Sequence, residues 1–282
     1  MTQVSESARG AVPGVVRVAV WDEFQWLRAG FSTRQGGGSV AYSAGDAGEQ
    51  DLDWTAEDDA AVVAANRRRF VDAVGDRDAE LVTVRQMHGG VVQIVKRGRG
   101  ALATHEGRAV LEGDGLITRE HGLMLGIQTA DCVPVLIADT RTRAVGAFHA
   151  GWRGTLAGIV ALGVDAMRKE FGSRPEELVA AVGPAIGRCC FAVGEEVRGQ
   201  FEERFGYAGE LFSLEGGQIY MDLWEANRRQ LVEAGVVPGT IRVVGECTAC
   251  ARLEDGRRRY FSHRAERGYT GRMMSVIGVV EG

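Results

Sequence analysis

With 282 residues, 45% of them hydrophobic, the chain is long enough to bury a large core and too apolar for disorder. Its 38 acidic against 33 basic side chains leave a formal net charge of -5, which offers no broad surface for nucleic acid. There is no apolar run of membrane-spanning length and no signal-like start, so a cytoplasmic setting is expected, with the five cysteines as free thiols rather than a disulfide scaffold.

Residues 1–14 are polar and small, and are expected as a flexible N-terminal segment ahead of one domain over 15–282. Val15 to Val20 begins the fold, and FSTRQGGG at Phe31 to Gly38 suggests a strand running into a mobile glycine loop. That loop lacks the spacing of a P-loop, but Arg34 within it has a planar fork suited to phosphate or carboxylate. Thr55 and Asp58 resemble a capping box, which predicts a helix carrying Val62, Val63, Phe70 and Val74 inward and Arg67 to Arg69 toward solvent.

Short β-rich runs follow at Leu81 to Arg85 and Val91 to Val95, separated by the polar break QMHGG. GDGLIT at Gly113 to Thr118 turns the chain back toward the core. Leu123 to Gln128, Val133 to Ala138 and Ala144 to Phe148 are the clearest strands. A helix is expected over Thr155 to Phe171 with Gly172 ending it, then a strand at Leu178 to Val182 and a helix from Val193 or Gly194. Asp222 and Glu225 cap another helix that ends near Gly235. Ile241 to Val244, Arg259 to Phe261 and Met274 to Val280 supply the closing strands. The pattern is that of an α/β (α+β) chain, a single compact domain with mixed sheets between helical layers. No GxGxxG opens a strand-to-helix turn, which disfavours a dinucleotide fold.

Polar clusters interrupt the strongest strands at their ends: QMHGG, TADC and HAGWRG. Two imidazoles and a thiolate are good zinc donors, so His88, Cys132 and His149 are a candidate metal triad with a fourth position open. Two other readings fit the same residues. The histidines and Cys132 are buried packing groups, or Cys132 is a nucleophile activated by His88 or His149. Asp131 is a candidate for proton movement, or else satisfies nearby backbone donors. CTAC at Cys247 to Cys250 looks like half a metal knuckle, but no matching CxxC follows, so local packing or redox chemistry is the expected reading.

QMHGG, TADCVPVLIAD, GAFHAGWRGT, GPAIGRCCFAVG and FSHRAERGYTGR occur in this order, and together they closely resemble the YfiH family of laccase-domain, polyphenol-oxidase-like purine nucleoside phosphorylases. The resemblance runs from FSTR to TGRMMSVI. It implies a single compact domain and a metal site on His88, Cys132 and His149. It also draws attention to Gln86, Arg34, Arg264 and Arg272 as substrate-binding candidates, with His88, Cys132, His149 and Asp131 as the catalytic candidates. Two departures stand out: AYSAGDAGEQ replaces the usual continuation around Tyr42, and FAVG at Phe191 to Gly194 replaces a YEVG-like sequence.

The activity implied is zinc-dependent phosphorolysis of adenosine, inosine, guanosine or S-methyl-5′-thioadenosine, with adenosine deamination alongside. Purine nucleosides and inorganic phosphate are then the partners, and no nucleic acid, membrane or protein partner is implied. Copper-dependent polyphenol oxidation is an alternative that the donor types allow, although five histidines are few for several coupled copper ions. Editing of a peptidoglycan precursor is the other alternative the resemblance carries.

Overall fold

Strand periodicity decides the layers. The computed structural model describes residues 13–43, 48–98 and 104–281. In chain order the strands and helices begin with β1 (Val15–Val16), β2 (Leu27–Ser32), β3 (Gln35–Ser39) and α1 (Ala60–Val74). Next come β4 (Glu80–Thr83), β5 (Val92–Ile94), β6 (Gly115–Thr118), β7 (Leu123–Thr129), β8 (Val133–Asp139) and β9 (Val145–Ala150). They are followed by α2 (Trp152–Ala157), α3 (Ile159–Phe171), β10 (Leu178–Val182), β11 (Ala192–Val193) and α4 (Glu195–Arg204). The chain closes with β12 (Phe212–Glu215), β13 (Gln218–Met221), α5 (Leu223–Glu233), β14 (Ile241–Val243) and β15 (Met273–Val279).

These strands form a five-stranded sheet in the order β1-β2-β15-β7-β4, a six-stranded sheet in the order β14-β10-β8-β9-β6-β5, and a small sheet β11-β13-β12. Alternate residues of each central strand face opposite layers. In β7, Leu125 and Ile127 meet Leu136 and Ala138 of β8 between the two large sheets, while Met124 turns outward to Phe70 and Val71 of α1. In β8, Val135 and Ile137 face α3 and α5, packing with Ile159, Met167 and Leu231. The result is α1, sheet, sheet, then the remaining helices, and it agrees with the expected mixed-sheet architecture. No helix among the described residues is long and apolar enough to cross a membrane.

Several local expectations need correction. The glycine run is not a loop but β3, bridged to Glu49. A Cβ at Gly37 would sit 1.8 Å from the Glu49 carbonyl oxygen, so the glycine permits a close backbone approach. The helix expected from Thr55 starts at Ala60, where the Asp59 carboxylate accepts from the backbone N–H groups of Ala61 and Val62. Arg67 is buried rather than solvated: Nε donates to the Leu52 carbonyl at 2.8 Å, Nη1 donates to that of Thr104, and the guanidinium lies 4.7 Å over Trp54. Burial pushes its pKa down to about 10.

The expected helix over Thr155 to Phe171 is split at Gly158 (φ 83°) and ends, as expected, at Gly172. Arg259 to Phe261 forms no strand, although Tyr260 and Phe261 are fully buried. The segment expected to be flexible, 1–14, lies outside the described residues up to residue 12. Gly14 exchanges backbone hydrogen bonds with Thr33 and Gln35.

Candidate metal centre and adjoining pocket

The two large sheets hand the chain from one to the other at the site. β7 belongs to the first sheet and β8 to the second, and Cys132 lies on the short crossing between them. β9 runs antiparallel to β8 with His149 opposite Pro134 and Ala150 opposite Val133, which brings His149 beside Cys132. His88 comes from the segment between β4 and β5. The ligand atoms of His88, Cys132 and His149 all lie within 4.8 Å of one another. The two imidazoles meet edge to face with centroids 4.8 Å apart. His149 is buried and His88 exposed, so the group is held from behind and open in front.

Asp114 holds the back. Its carboxylate accepts backbone N–H bonds from Met87 (3.2 Å), His88 (2.8 Å) and Gly89 (2.7 Å), fixing a turn in which His88 has φ 59°. Oδ1 also faces His149 Nδ1 at 2.8 Å. A carboxylate can only accept, so Nδ1 carries the proton and Nε2 remains available as a ligand. The strand register is tied to the same residue, because the His149 N–H donates to the Asp114 carbonyl at 2.7 Å. Burial works against the Asp114 charge, but the His149 imidazole and these N–H groups hold its carboxyl below the usual range. Burial likewise opposes the Cys132 thiolate, yet the paired His149 charge prevails and brings the thiol down to about 6. The same pair raises His149 to about 9 against its burial.

Close approach is built in. A Cβ at Gly151 would stand 2.9 Å from Cys132 Sγ and 3.2 Å from His88 Cδ2. Asp131 adopts φ 91° just before Cys132. Its Oδ1 accepts from the hydroxyls of Thr248 and Ser262, both at 2.7 Å, and Oδ2 from the Arg264 backbone N–H at 2.7 Å. Ile186 N–H donates to its carbonyl at 2.9 Å. The turn carrying Cys132 is therefore anchored to the segments around 186, 248 and 262.

In front of the triad is a cavity of about 330 Å³ that also exposes Ile186, Phe191, His263, Arg264 and Arg272. It adjoins a second of about 580 Å³, lined by Trp54, Arg67 and Arg108 among others, and the two share Gln86, His88, Gln128 and Arg272. These volumes are in the range of small-molecule sites. Arg264 stands 5.6 Å over the Phe191 ring and donates to the Ala192 carbonyl, so FAVG still shapes the wall. Arg272 donates through Nη1 to the carbonyls of Thr270 and Gly271.

Two sequence candidates are engaged by the protein itself. Gln86 lines both cavities, but its amide is paired at both ends with the Gln128 backbone, at 2.7 and 2.8 Å. Arg34 is not on either cavity wall. It is buried between Glu49 and Glu266, each at 2.6 Å, and stacks over Phe261 at 4.6 Å. Its fork serves internal carboxylates, one of the two uses expected of it. Tyr42 donates to Thr55 Oγ1 at 2.7 Å and packs edge-on against Tyr269, while residues 44–47 of the divergent segment lie outside the described residues.

Asp114, the organising carboxylate, was not singled out from the sequence, nor were His263, Thr248 and Ser262. The available signal for Asp114 was an acidic residue entering an apolar strand, GDGLIT. The remaining histidines serve elsewhere: His105 Nε2 lies 3.1 Å from the Ala79 carbonyl oxygen, and His121 lies 3.2 Å from Glu281.

Known proteins resemble this chain over most of its length. It is 36% identical over 253 residues to the purine nucleoside phosphorylase YlmD of Geobacillus stearothermophilus, covering 89% of each chain. It is 34% identical over 246 residues to the adenosine deaminase RL5 of an unknown prokaryotic organism, covering 86% of this chain and 92% of that protein. The crystal structure of the hypothetical protein YfiH from Bacillus licheniformis has a TM-score of 0.83 and 34% identity, covering 95% of this chain and 97% of that one. Residues 28–280 match the family described as multi-copper polyphenol oxidoreductase laccase, and with these relatives the match shows that the chain belongs to that family.

Proposed function

We propose that the chain is a zinc-dependent purine nucleoside phosphorylase acting on adenosine, inosine, guanosine or S-methyl-5′-thioadenosine, with adenosine deamination as a second activity of the same pocket. The observation that carries the reading is a His88, Cys132 and His149 donor set opening onto a cavity that also exposes Arg264 and Arg272. Two relatives named for these activities give it direction.

The residues fit the ion. One thiolate and two imidazole nitrogens are a zinc donor set, and Asp114 presents Nε2 of His149 by fixing its tautomer. When bound, zinc supplies Lewis acidity toward a polar substrate group in either reaction. The protein side chains supply the rest. In phosphorolysis a phosphate oxygen bonds to the anomeric carbon as the glycosidic bond breaks, and the bonding pair leaves with the purine. Arg264 and Arg272 neutralise and orient that phosphate. Asp131, whose carboxylate is committed to Thr248, Ser262 and Arg264, acts as a positioning residue for the Cys132 turn.

The test uses protein of defined metal content with each nucleoside, with and without phosphate. Joint appearance of free purine and ribose-1-phosphate (or its methylthio analogue) supports the reading. Failure across the panel, with turnover of a peptidoglycan precursor or phosphate-independent oxidation of a phenol, rejects it.

A further inference from the structure

A second group of metal-type donors lies behind the pocket wall. Cys189 and Cys190 leave the turn after β10, and Cys247 and Cys250 belong to the long connection between β14 and β15. The four sulfurs all lie within 4.8 Å of one another. No disulfide joins them. Cys189 Sγ and Cys250 Sγ are 3.7 Å apart, far beyond the ~2.05 Å of a bonded pair. The edge of a tetrahedron of sulfurs around zinc, at a Zn–S distance of ~2.3 Å, is ~3.8 Å. The Cys189–Cys250 separation matches that edge, and the other sulfur pairs lie within 4.8 Å.

We propose that Cys189, Cys190, Cys247 and Cys250 form a second, structural site for a zinc ion. The backbone is arranged for it. The Cys247 sulfur accepts the Gly187 N–H at 3.2 Å, which draws the CTAC turn against the turn that carries Cys189 and Cys190. On the other side, the N–H groups of Cys190 and Phe191 both donate to the Gly187 carbonyl, folding adjacent cysteines into one tight turn. The second half of the knuckle is thus a CC pair upstream of CTAC, not the CxxC downstream that the sequence pattern calls for.

The site has work to do. The β14–β15 connection contains no named helix or strand, and long irregular connections need anchoring. Thr248, inside the CTAC turn, holds Asp131 beside Cys132, and Phe191, next to Cys190, lines the cavity. Zinc here fastens the pocket wall to the turn that presents Cys132. The inference does not depend on the purine reading.

The experiment counts zinc per chain in protein purified from zinc-supplied cells under reducing conditions, for wild type, His88→Ala/Cys132→Ser and Cys250→Ser. The proposal expects the double variant to keep one zinc ion and Cys250→Ser to lose one relative to wild type. Cobalt(II) loaded into the double variant should show the charge-transfer and visible bands of a tetrahedral thiolate site, which needs no destabilising change in the cluster. A double variant without zinc or cobalt, or mass spectrometry finding a Cys189–Cys250 disulfide in the freshly reduced, zinc-supplied protein, overturns it. Failure of the first site alone would appear differently, as zinc unaffected by His88→Ala/Cys132→Ser and lost with Cys250→Ser.

Discussion

Asp114→Asn isolates the residue on which the site's geometry rests. The change preserves shape but converts one acceptor oxygen into an N–H₂ group. With the amide oxygen in the Oδ1 position, the new donor confronts the N–H groups of Gly89 and Met87, which now bond to Oδ2. With the amide flipped, it confronts the His88 N–H and His149 Nδ1, and His149 can then accept only by moving its proton to the ligand nitrogen. In the first orientation the part-buried N–H groups of Gly89 and Met87 lose their partner, a loss of about 1–3 kcal/mol for the two together because solvent reaches the exposed Met87.

In either orientation zinc affinity should fall by about 10- to 100-fold, the usual consequence of removing a carboxylate behind a ligating histidine. Because the folded Asp114 pKa is depressed, its contribution is present above the unfolded value and lost as pH falls through the folded one. The variant should lack that part of the acid limb. Urea unfolding of the chelator-treated proteins across pH and zinc competition against a chromophoric chelator measure both effects. A variant with wild-type stability and wild-type zinc affinity would refute the assignment of Asp114 as organiser.

Other outcomes follow from the same geometry. Gly151→Ala places a methyl group 2.9 Å from Cys132 Sγ, and ~1–3 kcal/mol of overpacking should weaken zinc binding about tenfold in the same chelator assay while the fold survives. Arg264→Met should raise the KM for phosphate in steady-state assays, whereas Arg34→Met should leave Glu49 and Glu266 unpaired and cost about 3–5 kcal/mol in urea unfolding. Burial raises Asp51 from its ordinary 3.8 to about 7 despite bonds from the Arg272 and Asp53 N–H groups. Its stabilisation is therefore full below about pH 4 and lost as pH rises to about 7, on the order of 4 kcal/mol at most. Asp51→Asn should flatten that fall in a pH series of unfolding curves.

The central strands were legible because β7, β8, β9 and β10 are aliphatic runs buried on both faces, and α5 because Asp222 caps it through the Glu225 N–H. The triad was legible because each donor interrupts or ends such a run. What escaped depends on distant partners. A glycine run reads as a loop until Glu49 is seen bridging it. Arg67 reads as solvated until Leu52, Thr104 and Trp54 surround it. The β12–β13 hairpin turns on Gly216 and Gly217, both at positive φ, but its flanking strands are short and half exposed, leaving little periodic signal. Asp114 offers only the weak signal of an acid entering GDGLIT, since the partners of its side chain lie 25 or more residues away.

Anomalous diffraction at the zinc edge, from crystals of the metal-loaded protein, addresses the metal centre without intermediaries. A peak at ~2.0–2.3 Å from Cys132 Sγ, His149 Nε2 and a His88 ring nitrogen is the expected result. Fully active protein whose crystals show no scatterer between those three side chains would contradict it.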